Sequence, residues 1–504
     1  MKLLSIILKE RVLLFLLGTV LLMSLHLNLR YGFSERLWID EAEYAWYAHR
    51  IAEDPSVIFS REIINTHPPL FSAILAFGNM FGPSLAGCRF ITVLVSLSGI
   101  AAVYVLGKRL FNAVVGFLSA VLLASNSAYV KFSPKILIDG LLMVAVIWLA
   151  SELIQARREE ASCSGLKVGL AGCAAILLKW SALLVIPLVF LFYLFSFETQ
   201  GIKQRLRKVF LPLGIILSVV SGLLVNNYVQ LGRIWGNVSA LAINTSSHSS
   251  PWFYGRDLPS LLEFPFALLF CAIGIFFSWK KDRRACLLLV LWVLVFAVAF
   301  SLAAEKITRY SLVYLPALLV LLSFGLYQGA QSIFPSARGK QWALVTIVFY
   351  VYGYGVLAFP RLASMLEEEN RFYVGFQAAA QEIKKTVTRD TLIVAASPDL
   401  VRYYTGIEFK KFGGQIVYWP FQEESREALL RGHRGPVMIV LDNWGRPQNL
   451  LVNPYQPSLL TALKSEGFSE VAAFGRMKYY SPKGRAQAFP AVWMMFRGAM
   501  EEGE

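Results

Sequence analysis

Apolar runs of about twenty residues recur along most of this chain, and no other feature constrains its fold as tightly. Examples are "VLLFLLGTVLLMSLHL", "LLLVLWVLVFAVAFSLAA" and "WALVTIVFYVYGYGVLAF". A bilayer core about 30 Å thick takes a helix of that length. Within it every backbone N–H and C=O must find an internal partner, so such runs are helices. The 504 residues are 56% hydrophobic and only 16% charged, against about 25% charged in ordinary soluble domains. The chain therefore reads as a polytopic α-helical membrane protein. Its start, "MKLLSIILKERVLLFLLGTVLL", has the basic end and apolar run of a signal peptide. No small-residue cleavage pattern follows, so it reads as an uncleaved first helix.

A net charge of +15 would suit a nucleic-acid binder, but the placement of the charges excludes that reading. Lys and Arg gather in short loops: Lys2, Lys9 and Arg11; Lys108 and Arg109; Arg157 and Arg158; Lys203, Arg205, Arg207 and Lys208; Lys280, Lys281, Arg283 and Arg284; Arg338 and Lys340. Short basic loops of this kind lie on the cytoplasmic side. The cysteines, at 88, 163, 173, 271 and 286, form neither a disulfide framework nor a metal-ligand spacing.

Placing the basic loops inside gives about eleven spans. They run over 11–29, 86–106, 113–131, 139–156, 166–179, 181–197, 209–227, 258–279, 285–304, 310–328 and 341–359. The run "PPLFSAILAFGNMFG" at 68–82 would, as a further span, put Lys108, Arg109 and every later basic loop outside. It is expected instead to lie in the outer interface. The N-terminus is then cytoplasmic and the C-terminus outside.

Two domains are expected: a transmembrane domain over 1–359, with a long first outer loop at 30–85, and an extracytoplasmic α/β domain over 360–504. In the latter, 18 Lys or Arg nearly balance 16 Asp or Glu. "TLIVAAS", "PVMIVLDN" and "AVWMMFRG" read as buried strands, while "FQAAAQEIKKTV" and "PSLLTALKSEG" read as amphipathic helices.

This topology collects an unusual set of groups on the outer face. Asp40 and Glu41 follow the first span, and His67, Pro68 and Pro69 close the same loop. Lys135 and Asp139 sit between spans three and four, Lys179 between five and six, and Lys306, Arg309 and Tyr310 between nine and ten. Cations at outer loop ends run against the positive-inside bias. Ionisable groups at membrane depth are costly and mark functional sites. Here they suit a ligand carrying phosphate, with Arg making forked contacts and Lys acting as a point charge. Simpler readings exist for each. Lys135 and Asp139, at i and i+4, fit a helix ion pair; Lys179 fits a snorkelling side chain; Lys306 and Arg309 fit lipid headgroup contacts. Convergence on one face is the stronger argument.

The acids have a structural reading too. In "IDEAEYA", Asp40 as N-cap with Glu43 three residues on fits a capping box. Capping and chemistry are compatible, since a capping carboxylate keeps lone pairs.

An Asp-Glu pair soon after the first span, followed by "HPPL" some way on, resembles the GT-C membrane glycosyltransferases. Protein O-mannosyltransferases and lipid A aminoarabinose transferases are the most similar in pattern. "KILIDGLLMVAVIWLA", with Lys135 and Asp139, resembles the family's basic-x-x-x-Asp segment opening the fourth span. "LLKWSALLVIPL" and "EKITRYSLVYLPALLVLL" are similar to its Lys-containing connection and its basic-Tyr-Pro-Ala-Leu segment. The resemblance covers roughly residues 30–330. Two departures stand out. "NTHPPL" lacks the acid-Lys pair of the aminoarabinose transferases, and no repeat domain of the eukaryotic O-mannosyltransferases is present.

The resemblance implies a polyprenyl-phosphate-sugar-dependent glycosyltransferase in a bacterial inner membrane. It would move a hexosyl or pentosyl group to a glycolipid or glycan at the outer face, with membrane lipid as its surroundings and no nucleic-acid partner. Asp40 is the implied base, with Glu41 or Asp139 orienting acceptor or sugar. Lys135, Lys179, Lys306, Arg309 and Tyr310 would receive the carrier phosphate, and the helix from His67, Pro68 and Pro69 would wall the site from water. No cofactor is required, though a divalent metal is compatible with the scheme. Rival classes are a lipid-linked glycan flippase or transporter, for which no internal repeat is evident, and an oligosaccharide polymerase or ligase, which would concentrate Arg and His in a large middle loop.

Overall fold

A computed structural model of the chain describes residues 10–33, 37–64, 67–79, 84–158, 163–196, 201–234, 252–303, 306–334, 336–370, 376–395, 397–408, 415–418, 436–442, 469–474, 477–480, 486–489 and 493–499. It divides into two compact units. One comprises Met1–Gly32 with Tyr47–Ala363, the other Phe33–Trp46 with Ser364–Glu504.

The first unit is helical. Its long helices are α1 (Glu10–Tyr31), α5 (Ser84–Leu110), α8 (Ile138–Arg158), α11 (Ile202–Leu231), α14 (Arg283–Leu302), α15 (Leu315–Ile333) and α16 (Ala337–Asn370), the last continuing beyond the unit. Among the described residues these seven are long and apolar enough to cross a membrane. The chain is an integral membrane protein. An eighth span forms if α12 (Phe253–Leu262) and α13 (Ala267–Lys281), bent by 98° where they meet, count as one.

Three of the eleven expected spans are shorter apolar helices: α6 (Ala113–Ala124), α9 (Cys163–Leu178), and α10 (Val185–Ser196) with the 3₁₀ turn Trp180–Leu184 before it. Twelve residues of α6 rise about 18 Å, short of a bilayer core of about 30 Å. Hydropathy marked these segments but not where they stop. Asn112 ends α5's run by capping α6, accepting from Val115 N–H at 3.0 Å. Asn126 starts the short α7 (Ser127–Phe132) in the same way. The segment expected in the interface forms α4 (Leu70–Gly78), nine residues, too short to span. A four-residue helix, α3 (Arg61–Ile64), precedes it.

The α12–α13 bend is a polar junction. Glu263 and Phe266 both take left-handed backbone conformations there. The Glu263 carboxylate accepts from Ser127 N–H at 3.0 Å and from Arg361 at 3.2 Å, and its carbonyl accepts from the Tyr354 hydroxyl. Asn126 donates to the carbonyl of Leu261 at 2.6 Å. These bonds satisfy backbone groups that a broken helix leaves open.

Below the bend, α13 and α15 approach at two glycines. A Cβ on Gly274 would strike the carbonyl of Leu321, and one on Gly325 the carbonyl of Phe270. Neither obstacle is a side chain that could swing aside.

In the second unit a five-stranded sheet runs in the order β2-β1-β3-β7-β4. β1 (Leu392–Ala395) pairs in parallel with β2 (Ile416–Tyr418) and with β3 (Pro436–Asp442). β7 (Trp493–Ala499) runs antiparallel to β3 and to β4 (Ser469–Phe474). β5 (Met477–Tyr480) and β6 (Ala486–Phe489) form a separate hairpin pair. Continuous burial of Leu392–Ala395 is what a parallel strand covered on both faces requires. α17 (Phe376–Thr386) and α18 (Pro398–Thr405) accompany the sheet. The three expected strands and the first expected helix are β1, β3, β7 and α17. The second expected helix, at 457–467, lies outside the described residues.

Replacing Gly325 by Val should force α13 and α15 apart and destabilise the fold by about 1–3 kcal/mol or more. Thermal unfolding in detergent would read this as a lowered midpoint. Gly353→Val, where nothing lies within 4 Å, serves as the control.

Candidate active site

Asp139 organises the polar centre of the first unit. It lies in the first turn of α8, where an acid also favours the helix dipole. Its side chain is only 3% exposed. Oδ1 accepts from Lys179 Nζ at 2.7 Å, and Oδ2 lies 3.7 Å from Arg309 Nε. The second distance is an ion pair beyond hydrogen-bond length. Both cations are nearly buried, with Lys179 12% and Arg309 11% exposed at the side chain.

Both cations come from segments that are not regular α-helix. Lys179 is extended, between α9 and the turn Trp180–Leu184. Arg309 lies in a 3₁₀ turn, Thr308–Val313, just before α15. The Tyr254 hydroxyl, from α12, donates to the carbonyl of Ile307 and accepts from its N–H, both at 3.1 Å. Trp292 Nε1–H donates to the carbonyl of Val313 at 3.0 Å. These bonds hold the Arg309 turn at both ends. Tyr310 adds a ring under the cations, with Lys179 Nζ 4.4 Å and Arg309 Cζ 5.6 Å from its centroid. One buried carboxylate thus holds two nearly buried cations side by side in a largely water-excluded place.

The structure thus brings together Asp139, Lys179, Arg309 and Tyr310 from the residues singled out in the sequence. The i, i+4 reading of Lys135 with Asp139 is corrected. α8 begins at Ile138, so Lys135 precedes the helix, and the ion pairs of Asp139 run to Lys179 and Arg309. Both carboxylate oxygens of Asp139 thus lie toward cations. Lys135 lies in a turn held to α5, where Thr92 donates to the carbonyl of Pro134 at 2.7 Å. Lys306 directly precedes the Tyr254-bound Ile307. His67 is half-buried, Pro68 and Pro69 are buried, and Pro69 caps α4. Among the described residues, no group of three or more His, Cys, Asp or Glu is arranged to hold a metal ion. Tyr254 was missed, because the aromatic loop around it reads as an interface belt and a single tyrosine gives no sign of its partner.

Asp40 and Glu41 belong to the second unit, on α2 (Ile39–Glu53), which begins there and ends in the first. The expected capping box is displaced by two residues. Trp38 is the N-cap, and its N–H donates to Glu41 Oε2 at 2.9 Å, the reach-back of an N3 acid. Glu41 is buried, only 2% exposed, whereas Asp40 is half-buried. The capping carboxylate is therefore Glu41, and Asp40 lies one place earlier in the same turn. α2 ends ahead of Asp54, whose carboxyl is held below the usual carboxylate range by the Ser56 hydroxyl and N–H.

This architecture is the GT-C fold. It matches the crystal structure of ArnT from Cupriavidus metallidurans bound to undecaprenyl phosphate, with a TM-score of 0.64 at 15% identity over 96% of this chain and 97% of that one. It also matches the archaeal oligosaccharyltransferase AglB from Archaeoglobus fulgidus in complex with an inhibitory peptide and a dolichol-phosphate, with a TM-score of 0.60 at 13% identity over 95% and 74%. Residues 66–225 match the family model described as dolichyl-phosphate-mannose-protein mannosyltransferase. That segment holds Lys135, Asp139 and Lys179 but not Asp40 or Arg309. A curated relative, undecaprenyl phosphate-alpha-4-amino-4-deoxy-L-arabinose arabinosyl transferase 1 from Pseudomonas fluorescens, is 23% identical over 49% of this chain. The chain aligns with about half of that relative's length, 47%.

Asp139→Ala should leave two cations facing each other without their counter-charge, a loss of roughly 3–5 kcal/mol. Adding Lys179→Met should recover part of it, because the two positions are coupled. Unfolding midpoints of the single and double variants check this; additive losses would show that the pair does not interact.

Proposed function

We propose that this protein is an inverting glycosyltransferase of a bacterial inner membrane, moving a sugar from a polyprenyl-phosphate carrier to a glycolipid or glycan on the outer face. The N-terminus would be cytoplasmic and the C-terminal unit outside. The observation that carries this reading is the pair of nearly buried cations, Lys179 and Arg309, gathered on Asp139 in a fold shared with an enzyme bound to undecaprenyl phosphate. An ammonium and a guanidinium side by side suit a phosphate, the first as a point charge and the second as a fork.

In this scheme Lys179 and Arg309 bind the carrier phosphate, and Asp139 keeps both cations in place before it arrives. The acceptor oxygen attacks the anomeric carbon as the bond from that carbon to the phosphate oxygen breaks. The polyprenyl phosphate departs with the electron pair of that bond. The cations stabilise the charge growing on it and need little reorganisation, since Asp139 already holds both and Tyr254 and Trp292 fix the turn of Arg309. Tyr310 lies beside both cations, and Lys135 and Lys306 stand in the flanking turns as further phosphate contacts. The base is assigned on the sequence: Asp40, in the motif "IDEAEYA", takes the acceptor proton. Glu41, occupied with Trp38, serves the helix start.

The two acids separate by isosteric substitution. Asp40→Asn should fold and melt like the parent but lose transfer, whereas Glu41→Gln, still able to accept from Trp38 N–H, should keep it. Glycolipids and surface glycans compared by mass spectrometry between cells with and without the protein identify the product and provide the assay. Full product in Asp40→Asn cells would remove the base. Arg309→Ala should weaken binding of undecaprenyl phosphate by about tenfold or more, and unchanged affinity would remove the phosphate role.

A further inference from the structure

Arg402 ranks with Trp292 among the largest fully buried side chains. It lies in the last turn of α18, within the second unit. Its guanidinium already has two carboxylates, with NH2 3.4 Å from Asp399 Oδ1 and NH1 3.2 Å from Glu408 Oε1. Charge balance asks for nothing more. Yet its Cζ also sits 5.1 Å from the ring centroid of Trp46, a residue of α2 at the other end of the sequence. A planar guanidinium stacks on an aromatic face in a way an ammonium does not.

The geometry of α2 gives this contact a direction. Trp46 follows Asp40 by six residues, which places it about 120° around the helix and about 9 Å along it. Arg402 therefore meets α2 on a flank other than that of Asp40. Glu41 fixes the first turn of the same helix through Trp38. A helix of fifteen residues is marginal alone in water, so its rotation depends on such fixtures. That residues 33–46 cluster with 364–504 is the same relationship seen at the level of the backbone.

We propose that Arg402 is a positioning residue: it holds α2 through Trp46 and so sets where the Asp40 carboxylate stands. This gives the C-terminal unit a task in transfer, and it rests on the reading of Asp40 as the base. Arg402 touches no reacting atom in this scheme. It acts through Trp46, and an error of about 1 Å in a catalytic group is enough to lower a rate by orders of magnitude.

The test uses the full-length protein with two substitutions at Trp46. Trp46→Leu keeps apolar bulk and removes the ring face, and Trp46→Phe keeps a face. Amide hydrogen exchange across residues 39–46 reads the clamp directly, whatever the enzyme does. In Trp46→Leu it should quicken by about tenfold or more while β1 stays protected, and Trp46→Phe should restore most of the protection. Product formation per mole of protein should fall by about tenfold or more in the Leu variant and return in the Phe variant. Affinity for undecaprenyl phosphate should stay within about twofold, because Lys179 and Arg309 are untouched.

Unchanged exchange at 39–46 in Trp46→Leu overturns the clamp. Exchange that quickens equally in β1 also overturns it, since the ring would then only support the core. Faster exchange with full product formation, while Asp40→Asn is inactive, overturns the positioning role. If Asp40→Asn is itself active, the reading of the base has failed, and the exchange result still decides whether Arg402 holds the helix.

Discussion

The carboxylate of Asp139, shared between Lys179 and Arg309, is the interaction on which the centre of the membrane unit depends. It joins three chain segments at places where regular helix stops or starts: the head of α8, the extended residue after α9, and the 3₁₀ turn before α15. Each of those breaks exposes backbone groups that a helix would have paired, and each is tolerated because polar side chains gather there. Ionisable groups at membrane depth are costly to keep, and Asp139 offsets part of that cost by pairing with both cations.

Much of this was legible before any coordinates. Apolar runs name the helices, and basic loops that break the positive-inside bias name Lys179 and Arg309. Helix length was less legible, since a hydropathy run does not show the Asn126 cap that starts α7 and so stops α6 at twelve residues. Pairing was the least legible. Lys135 and Asp139 are close in sequence, and local spacing pointed to a bond between them. The partners of Asp139 come instead from positions 179 and 309, because α8 starts only after Lys135. The cap of α2 shows the same limit at smaller scale: two acids and a third two places on allow more than one register, and the buried position of Glu41 selects one. In the C-terminal unit, β1, β3 and β7 were legible as continuous apolar runs. The sheet order was not, because nothing local distinguishes a parallel neighbour from an antiparallel one.

In the proposed scheme Asp40 and Glu41 divide the work between them. A capping carboxylate and a catalytic one have opposing needs. The first gains from burial and a fixed N–H, the second from access and an ability to receive a proton. Adjacent positions on one helix turn would serve both, with Glu41 buried on Trp38 and Asp40 half-buried beside it.

The junction at Glu263 has a mechanical meaning. Tyr354 and Arg361 on α16 hold Glu263, which ends α12; α12 carries Tyr254; and Tyr254 grips Ile307, two residues from Arg309. These links form a strut from one helix to the cationic turn, with hydrogen bonds at both ends and a rigid helical rod between them. Strain applied to α16 is thereby delivered to the arginine without first unpacking the membrane core.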